Sequence, residues 1–297
     1  MIIAKTLVHK ASMPIAEHAV RTFACTHWDK CILEIHSDGS LNSEEENKLL
    51  NAAGSMGVTI VRPVDRASLL EDRLKAFPLT RALVSRGGYF SKLELPITEE
   101  TPFFYFDSDI VWLRPADSLK PLTQKSIFST ESWTWYYGMK NPNQWIRERV
   151  PRRVNSGFYF MNEEFPFTRM EGLLKEGLYD PAADCSTDQE IMAYLYPSME
   201  LYHHGDIMRS RRGRIYDLKN LDAIALHFPG RMWEPHLDQL SSFVPQIISQ
   251  KIRRRKTKPL SFLEIGKMNF LQWIEQSPTA KIPISLYRKS RSLFRTS

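Results

Sequence analysis

The sequence predicts an α/β protein in which helices flank a mostly parallel sheet and a basic helical tail follows the body. Three observations carry that prediction. Short β-rich runs alternate with longer segments of mixed polarity through the first 60 residues, the pattern of crossover units that build parallel sheets. The 297 residues are 42% hydrophobic and 11% aromatic, an ordinary globular composition able to bury one large core. The charge is uneven: within a net +6, residues 246–297 hold twelve Lys and Arg against two acids, whereas residues 1–245 hold 28 basic against 32 acidic groups. A nucleic-acid binder would spread its basic charge over the body, so nucleic acid is excluded as a partner.

Taken in order, Ile2–Val8 reads as a strand, Pro14–Cys25 as a helix, Cys31–His36 as a strand and Ser43–Met56 as a helix. That helix opens on Ser43-Glu44-Glu45-Glu46, read as a capping box, and Gly57 precedes a third strand at Val58–Arg62. Sheets of this kind bind ligands beyond the carboxyl ends of their strands. Asp38, just after the second strand in His36-Ser-Asp38-Gly39, is therefore either a nucleotide contact or an ordinary Asp-Gly turn. The glycines form neither GxGxxG nor GxxxxGK[ST], which argues against dinucleotide and P-loop binding. Apolar runs such as Ile110-Val-Trp-Leu113 fall far short of the roughly 18–20 residues that cross a bilayer. Lys5, His9 and Lys10 interrupt any signal-like start. Cys25, Cys31 and Cys185 leave one cysteine unpaired in any disulfide scheme and lack metal-type spacing, so they read as reduced thiols of a cytoplasmic protein.

The most informative segment is Pro102-Phe-Phe-Tyr-Phe-Asp107-Ser108-Asp109-Ile-Val-Trp-Leu113. Two carboxylates one residue apart interrupt an apolar run that then resumes, so something must compensate their charge. On an extended strand they would face opposite sides, but a turn at Ser108 brings both toward one hard divalent cation. Around this segment stand Tyr89-Phe-Ser-Lys92-Leu93, Asn155-Ser156-Gly157, Thr187-Asp188-Gln189-Glu190 and Leu226-His227-Phe228-Pro229-Gly230-Arg231.

In order and spacing these segments resemble the GT-A nucleotide-sugar glycosyltransferases, most of all glycosyltransferase family 8 and related bacterial sugar transferases. The resemblance spans roughly residues 1–235. It implies a catalytic domain over 1–235 followed by a basic amphipathic extension over 236–297. By matching position it implies that Asp107, Asp109 and His227 hold a divalent metal, Mn²⁺ before Mg²⁺. It likewise makes Lys92, Asp107 and Gly230 contacts of a nucleotide-diphosphate sugar, and places Asn155, Asp188 and Gln189 at the reacting centre. Asp38, by its place after the second strand, and Arg231, by a guanidinium four residues after His227 that can grip two phosphate oxygens, are read as further donor contacts. The implied activity is hexosyl transfer, from a UDP-sugar and with retention, to a glycan, glycolipid or protein acceptor in polysaccharide biosynthesis. Two positions depart from the pattern: Trp233 stands where a lysine is usual, and Lys92 where an arginine is.

Chemistry supports these residue types independently. Cleaving a sugar–phosphate bond leaves about one more negative charge on the diphosphate, which a divalent cation stabilises. An imidazole ligand suits Mn²⁺ better than Mg²⁺. Each position also has a plain structural role open to it: His227 as a core histidine, Asp188 as a helix cap, Asn155 and Gly157 as a tight turn. Glu190 is placed on an adjacent helical face. Trp133, Trp135, Tyr136 and Tyr137, followed by Trp145, form either an acceptor platform or a half-buried strand. Leu237, Leu240, Phe243, Val244, Ile247 and Ile248 share a helical face that Pro245 kinks or begins, and Lys251–Lys258 with Phe262–Ile274 suits an anionic membrane surface or a polyanionic acceptor. Peripheral attachment at the inner face of a membrane is the corresponding expectation. Two other functions stay open: a sugar-phosphate nucleotidyltransferase, whose glycine-rich loop after the first strand is absent from Lys10-Ala-Ser-Met-Pro14, and a non-catalytic nucleotide-sugar or glycan binding protein.

Overall fold

The computed structural model describes residues 2–27, 31–100, 102–115, 125–130, 138–140, 142–151, 154–183, 187–202, 208–209, 224–249, 261 and 264–265. The α/β class is observed. Strands β1 (Ile2–Val8), β2 (Cys31–Ser37), β3 (Val58–Val61), β4 (Phe103–Phe106), β6 (Ile127–Thr130), β7 (Val154–Met161) and β8 (Glu200–Tyr202) form one sheet in the order β3-β2-β1-β4-β7-β6-β8. Its pairings are parallel except β4·β7 and β6·β7. A smaller sheet orders β5 (Ile110–Trp112), β10 (Ala225–His227) and β9 (Met208–Arg209).

Alternation along β1 sorts the two faces of the large sheet. Ala4 and Val8 enter an apolar layer under helices α1 (Met13–His27) and α2 (Ser43–Ala53), together with Phe23, Leu49, Phe104, Phe106, Trp112 and Phe158. Phe23 stacks on Phe106 at 4.5 Å and meets Trp112 edge-on at 5.5 Å. The opposite face starts with an ionic layer. Lys5, only 3% exposed, reaches Glu34 at 3.0 Å and Glu99 at 2.6 Å. Arg66, from α3 (Pro63–Leu74), donates to Glu94 of α5 (Glu94–Thr98) at 2.7 Å and to the Ser37 carbonyl at 3.2 Å. Buried charges stay in such a layer only because every one finds a partner.

The elements over the first 60 residues fall within a few residues of the expected ones, with one correction. The capping box of α2 is Asn42 and Glu45, not Ser43 and Glu46: the Asn42 side chain accepts the Glu45 N–H at 2.9 Å, and the Glu45 carboxylate accepts the Asn42 N–H at 2.8 Å. Helices α4 (Pro78–Val84), α6 (Pro142–Arg147), α7 (Phe167–Lys175) and α8 (Asp188–Leu195) complete the body before the last helix, α9 (Leu237–Ser249). Pro245 lies inside α9. Ile15, Val111, Leu226, Phe228, Trp233 and Leu240 form a second apolar cluster that joins α9 to α1 and the small sheet. Two compact units are present, Met1–Pro259 and Leu260–Ser297. In the second, Ser261 and Glu264 cap a turn, with the Ser261 N–H donating to Glu264 at 2.7 Å.

Trp145, which follows the aromatic run, is 2% exposed, its indole N–H donates to the Leu178 carbonyl at 3.4 Å, and it belongs to the core. The aromatics at 133–137, Cys185, Lys251–Lys258 and the rest of the tail around Trp273 lie outside the described residues. Cys25 is exposed and Cys31 buried, neither in a disulfide. Among the described residues no helix is long and apolar enough to cross a membrane.

Candidate active site

The site forms where the chain passes from one sheet to the other. β4 ends at Phe106, the Asp107 N–H donates to the Gly157 carbonyl of β7 at 2.7 Å, and the Ile110 N–H closes a turn onto the Asp107 carbonyl at 3.1 Å. The chain then enters β5, whose Ile110 pairs with His227 of β10. Asp107 thus ends one sheet, Asp109 precedes the other, and antiparallel pairing sets His227 beside them. One ligand atom from each of Asp107, Asp109 and His227 lies within 4.8 Å of the other two.

This donor set fits a divalent cation. His227 Nε2 stands 3.5 Å from Asp109 Oδ1, and that buried oxygen has no hydrogen-bond partner. Burial pushes the Asp109 carboxyl up to about 7, with His227 opposing and Asp107 adding to the shift. A carboxylate so disfavoured in its charged form is one that an added cation would stabilise.

Asp107 is held by its neighbours. Lys92 Nζ lies 2.8 Å from Oδ1 and 2.9 Å from Oδ2, and the Tyr105 hydroxyl donates to Oδ1 at 2.6 Å. Burial opposes the charge on Lys92, yet Asp107, then Asp188 and Asp109, hold its ammonium protonated above the usual lysine range. The Ser108 hydroxyl donates to Ser12 Oγ at 3.2 Å, and Ser12 donates to the His9 carbonyl at 2.9 Å, so the turn is tied to the segment after β1.

Asp188 opens α8 as its first residue. Thr187 is the N-cap and makes no side-chain cap bond, so the Asp188 side chain is not spent on capping. It is 1% exposed and neither oxygen has a hydrogen-bond partner, and burial raises the carboxyl above its ordinary range against the pull of Lys92 and the Ser156 hydroxyl. Gln189 Oε1 is likewise buried without a partner. Asn155 sits within β7, not in a turn, and its Oδ1 accepts the Gly157 N–H at 2.7 Å. Glu190, expected on a neighbouring face, is fully buried and accepts the Gly138 N–H with both oxygens at 3.1 Å.

Gly157 is a close approach that no side chain can share. A methyl group there would lie 2.8 Å from both Asn155 Oδ1 and Asp107 Oδ2. Gly157→Ala is expected to displace Asp107, to cost about 1–3 kcal/mol of stability, and to weaken Mn²⁺ binding about ten-fold or more. Thermal unfolding and calorimetric metal titration measure the two effects.

A cavity of about 390 Å³ opens at this point, lined by Asp107, Lys92, Tyr105 and Ser108 on one side and by Leu7, His9 and Asp38 at the ends of β1 and β2. Gly88, Tyr89, Ser91 and Gly230 complete it. Asp38 forms an Asp turn as well, its Oδ1 accepting the Ser40 N–H at 2.9 Å and the Ser40 hydroxyl at 2.6 Å. Gly230 adopts a positive φ of 67°. Arg231 is exposed and pairs with Glu234. Among the lining residues, His9 and Tyr105 are not expected at the site from the sequence, whereas Ser108 is expected as the turn between the aspartates and Tyr89 and Ser91 as members of the segment that carries Lys92. For His9 the signal was available, since it directly follows the first strand. The arrangement can gather anionic oxygens beside Lys92 and the three-ligand cluster, with the unpartnered Asp188 carboxylate close to Lys92.

No protein-family model matches the sequence, and no curated protein matches it. Solved structures do resemble it in shape. The galactosyltransferase LgtC in complex with donor and acceptor sugar analogues superposes with a TM-score of 0.50 at 11% identity, over 86% of this chain and 98% of that one. An active-site variant of LgtC gives 0.51 at 9% identity over 82% and 96%. The bifunctional glycosyltransferase WbbM gives 0.53 at 10% identity over 83% of this chain and 51% of its own. The chain has the GT-A fold.

Proposed function

We propose that this chain is a metal-dependent glycosyltransferase that moves a hexose from a nucleotide-diphosphate sugar, in particular a UDP-sugar, to a glycan, glycolipid or protein acceptor with retention. The observation that carries this reading is the convergence of Asp107, Asp109 and His227 at a sheet-to-sheet crossover beside a cavity that also presents Lys92. A bound divalent cation would supply positive charge to the leaving diphosphate, and the imidazole among its ligands favours Mn²⁺ over Mg²⁺.

The chain's own residues supply the rest. Lys92 offers an ammonium to the diphosphate from inside the cavity. Asp188, buried and unpartnered, carries negative charge that stabilises the anomeric carbon as it gains oxocarbenium character. Asn155 and Gln189 position the sugar and the attacking hydroxyl. Asp38 and Gly230 border the cavity where the nucleoside lies, and Arg231 would reach the diphosphate by leaving Glu234. Titration calorimetry with a panel of nucleoside diphosphates, with and without Mn²⁺, tests the reading. Tight binding of one diphosphate that needs Mn²⁺ supports it, and absence of binding under either condition overturns it.

The tail supports a proposal about location, peripheral attachment at the cytoplasmic face of an anionic membrane. Residues 251–297 contain twelve Lys and Arg, and about 1 kcal/mol for each one that reaches an anionic surface gives roughly 6 kcal/mol from half of them. The full chain is expected to sediment with vesicles of acidic lipid and to be released at high salt. A chain ending at Ser249, which keeps α9, is expected to stay in the supernatant. Equal sedimentation of the two chains contradicts the attachment.

A further inference from the structure

Lys92 occupies an unusual position for a residue that is to greet a diphosphate, because its ammonium already grips both oxygens of Asp107, at 2.8 and 2.9 Å. Asp107 is also one of the three residues placed to hold a divalent cation. A cation on Asp107 at the usual metal–oxygen distance would lie at most about 5 Å from the Lys92 nitrogen, where like charges repel well above thermal energy. Asp107 therefore cannot serve both cations fully. The backbone of Lys92 is fixed, since Gly88–Leu93 is a 3-10 helix anchored by buried Phe90 and Leu93. Its side chain is not fixed in the same way: a compact ammonium on a four-carbon stem can change partner by rotation alone.

We infer that Lys92 exchanges counter-ions. In the resting protein it neutralises Asp107 and opposes metal binding; when a nucleoside diphosphate arrives with a divalent cation, the cation takes Asp107 and the ammonium passes to the diphosphate. This rests on the reading of the cavity as a nucleotide-diphosphate site. Its consequence is thermodynamic coupling: each ligand removes an obstacle to the other, so metal and diphosphate bind together far better than either alone. Lys92 is in this sense a positioning residue for the metal as well as a contact for the donor.

The test is a linkage square measured with Mn²⁺ and UDP on the full chain. Free Mn²⁺ is followed by electron paramagnetic resonance with and without UDP, and UDP binding is measured by calorimetry with and without Mn²⁺. In the unmodified protein UDP is expected to tighten Mn²⁺ binding at least about ten-fold. In Lys92→Met, Mn²⁺ alone should bind about ten-fold tighter or more, while UDP at saturating Mn²⁺ should bind about ten-fold weaker or more. Lys92→Gln should behave alike, and Lys92→Arg should retain most of the coupling. Thermal unfolding confirms that each variant is folded, and the unmodified arm stands without any variant. Independent binding of Mn²⁺ and UDP to the unmodified protein overturns the exchange. So does an unchanged UDP affinity in Lys92→Met, which would make Lys92 a mere counter-ion of Asp107. If the unmodified protein binds UDP at no Mn²⁺ concentration, the reading of the cavity falls as well; if it does bind Mn²⁺ and UDP, only the exchange is at stake in the variants.

Discussion

Asp109→Asn is expected to abolish metal-dependent nucleotide binding and to lower transfer by about a thousand-fold or more, while the folded protein becomes more stable without metal. The two effects have one origin. Asp109 contributes a buried oxygen with no hydrogen-bond partner, so losing its charge weakens the hold on a cation that, among the described residues, Asp107 and His227 would then share. In the metal-free protein the same charge is a burden, because burial raises the carboxyl from 3.8 to about 7. An acid whose folded pKa is raised stabilises the fold only while protonated. Its contribution is complete below its unfolded value, and it is lost progressively as pH rises toward 7. Asparagine removes the penalty, so the variant should gain stability most clearly above pH 7, by at most about 4 kcal/mol, and the gap should close toward pH 4. Thermal unfolding across that range measures it. A variant less stable at pH 8 than the parent would show that Asp109 is already compensated.

Asp188→Asn separates chemistry from metal binding. Its carboxylate makes no hydrogen bond and is not one of the three clustered ligands, so Mn²⁺-supported UDP binding should change by no more than a few-fold. Transfer should nevertheless fall about 10²–10³-fold, since a neutral amide no longer stabilises positive charge at the anomeric carbon. The asparagine should also relieve a buried, unpartnered charge and leave stability unchanged or improved. Transfer within ten-fold of the parent would return Asp188 to a structural role.

Much of this was legible in the sequence where local pattern decides. The alternation of strand and helix over the first 60 residues follows from period and punctuation alone, and β1 was placed at its observed ends. The capping box slipped by one residue because Asn42 with Glu45 and Ser43 with Glu46 have equal spacing and chemistry, and only backbone geometry chooses between them. Asp107 and Asp109 stood out as a polar break in an apolar run. That the break is a passage between two sheets was not legible, because it depends on β5 pairing with β10 more than a hundred residues later.

Long-range partners decide what local pattern leaves open. Glu190 lies in the helix beside Asp188 as expected, and its burial is compensated by the Gly138 N–H, 52 residues away. Trp145, next after a dense run of aromatics, is held by the Leu178 carbonyl, 33 residues away. Trp233 packs in the cluster under α9. Lys92 is the lysine that lines the cavity among the described residues, which only the assembled lining reveals.

Asp107, Asp109 and His227 are proposed to hold a divalent cation against a nucleoside diphosphate. Anomalous diffraction at the manganese edge, on crystals of the unmodified protein grown with Mn²⁺ and UDP, tests this. One strong anomalous peak is expected among the three side chains, with the UDP diphosphate against it and the Lys92 ammonium turned toward the diphosphate. A diphosphate bound in the cavity with no manganese between these residues, or manganese at any other site, would contradict it.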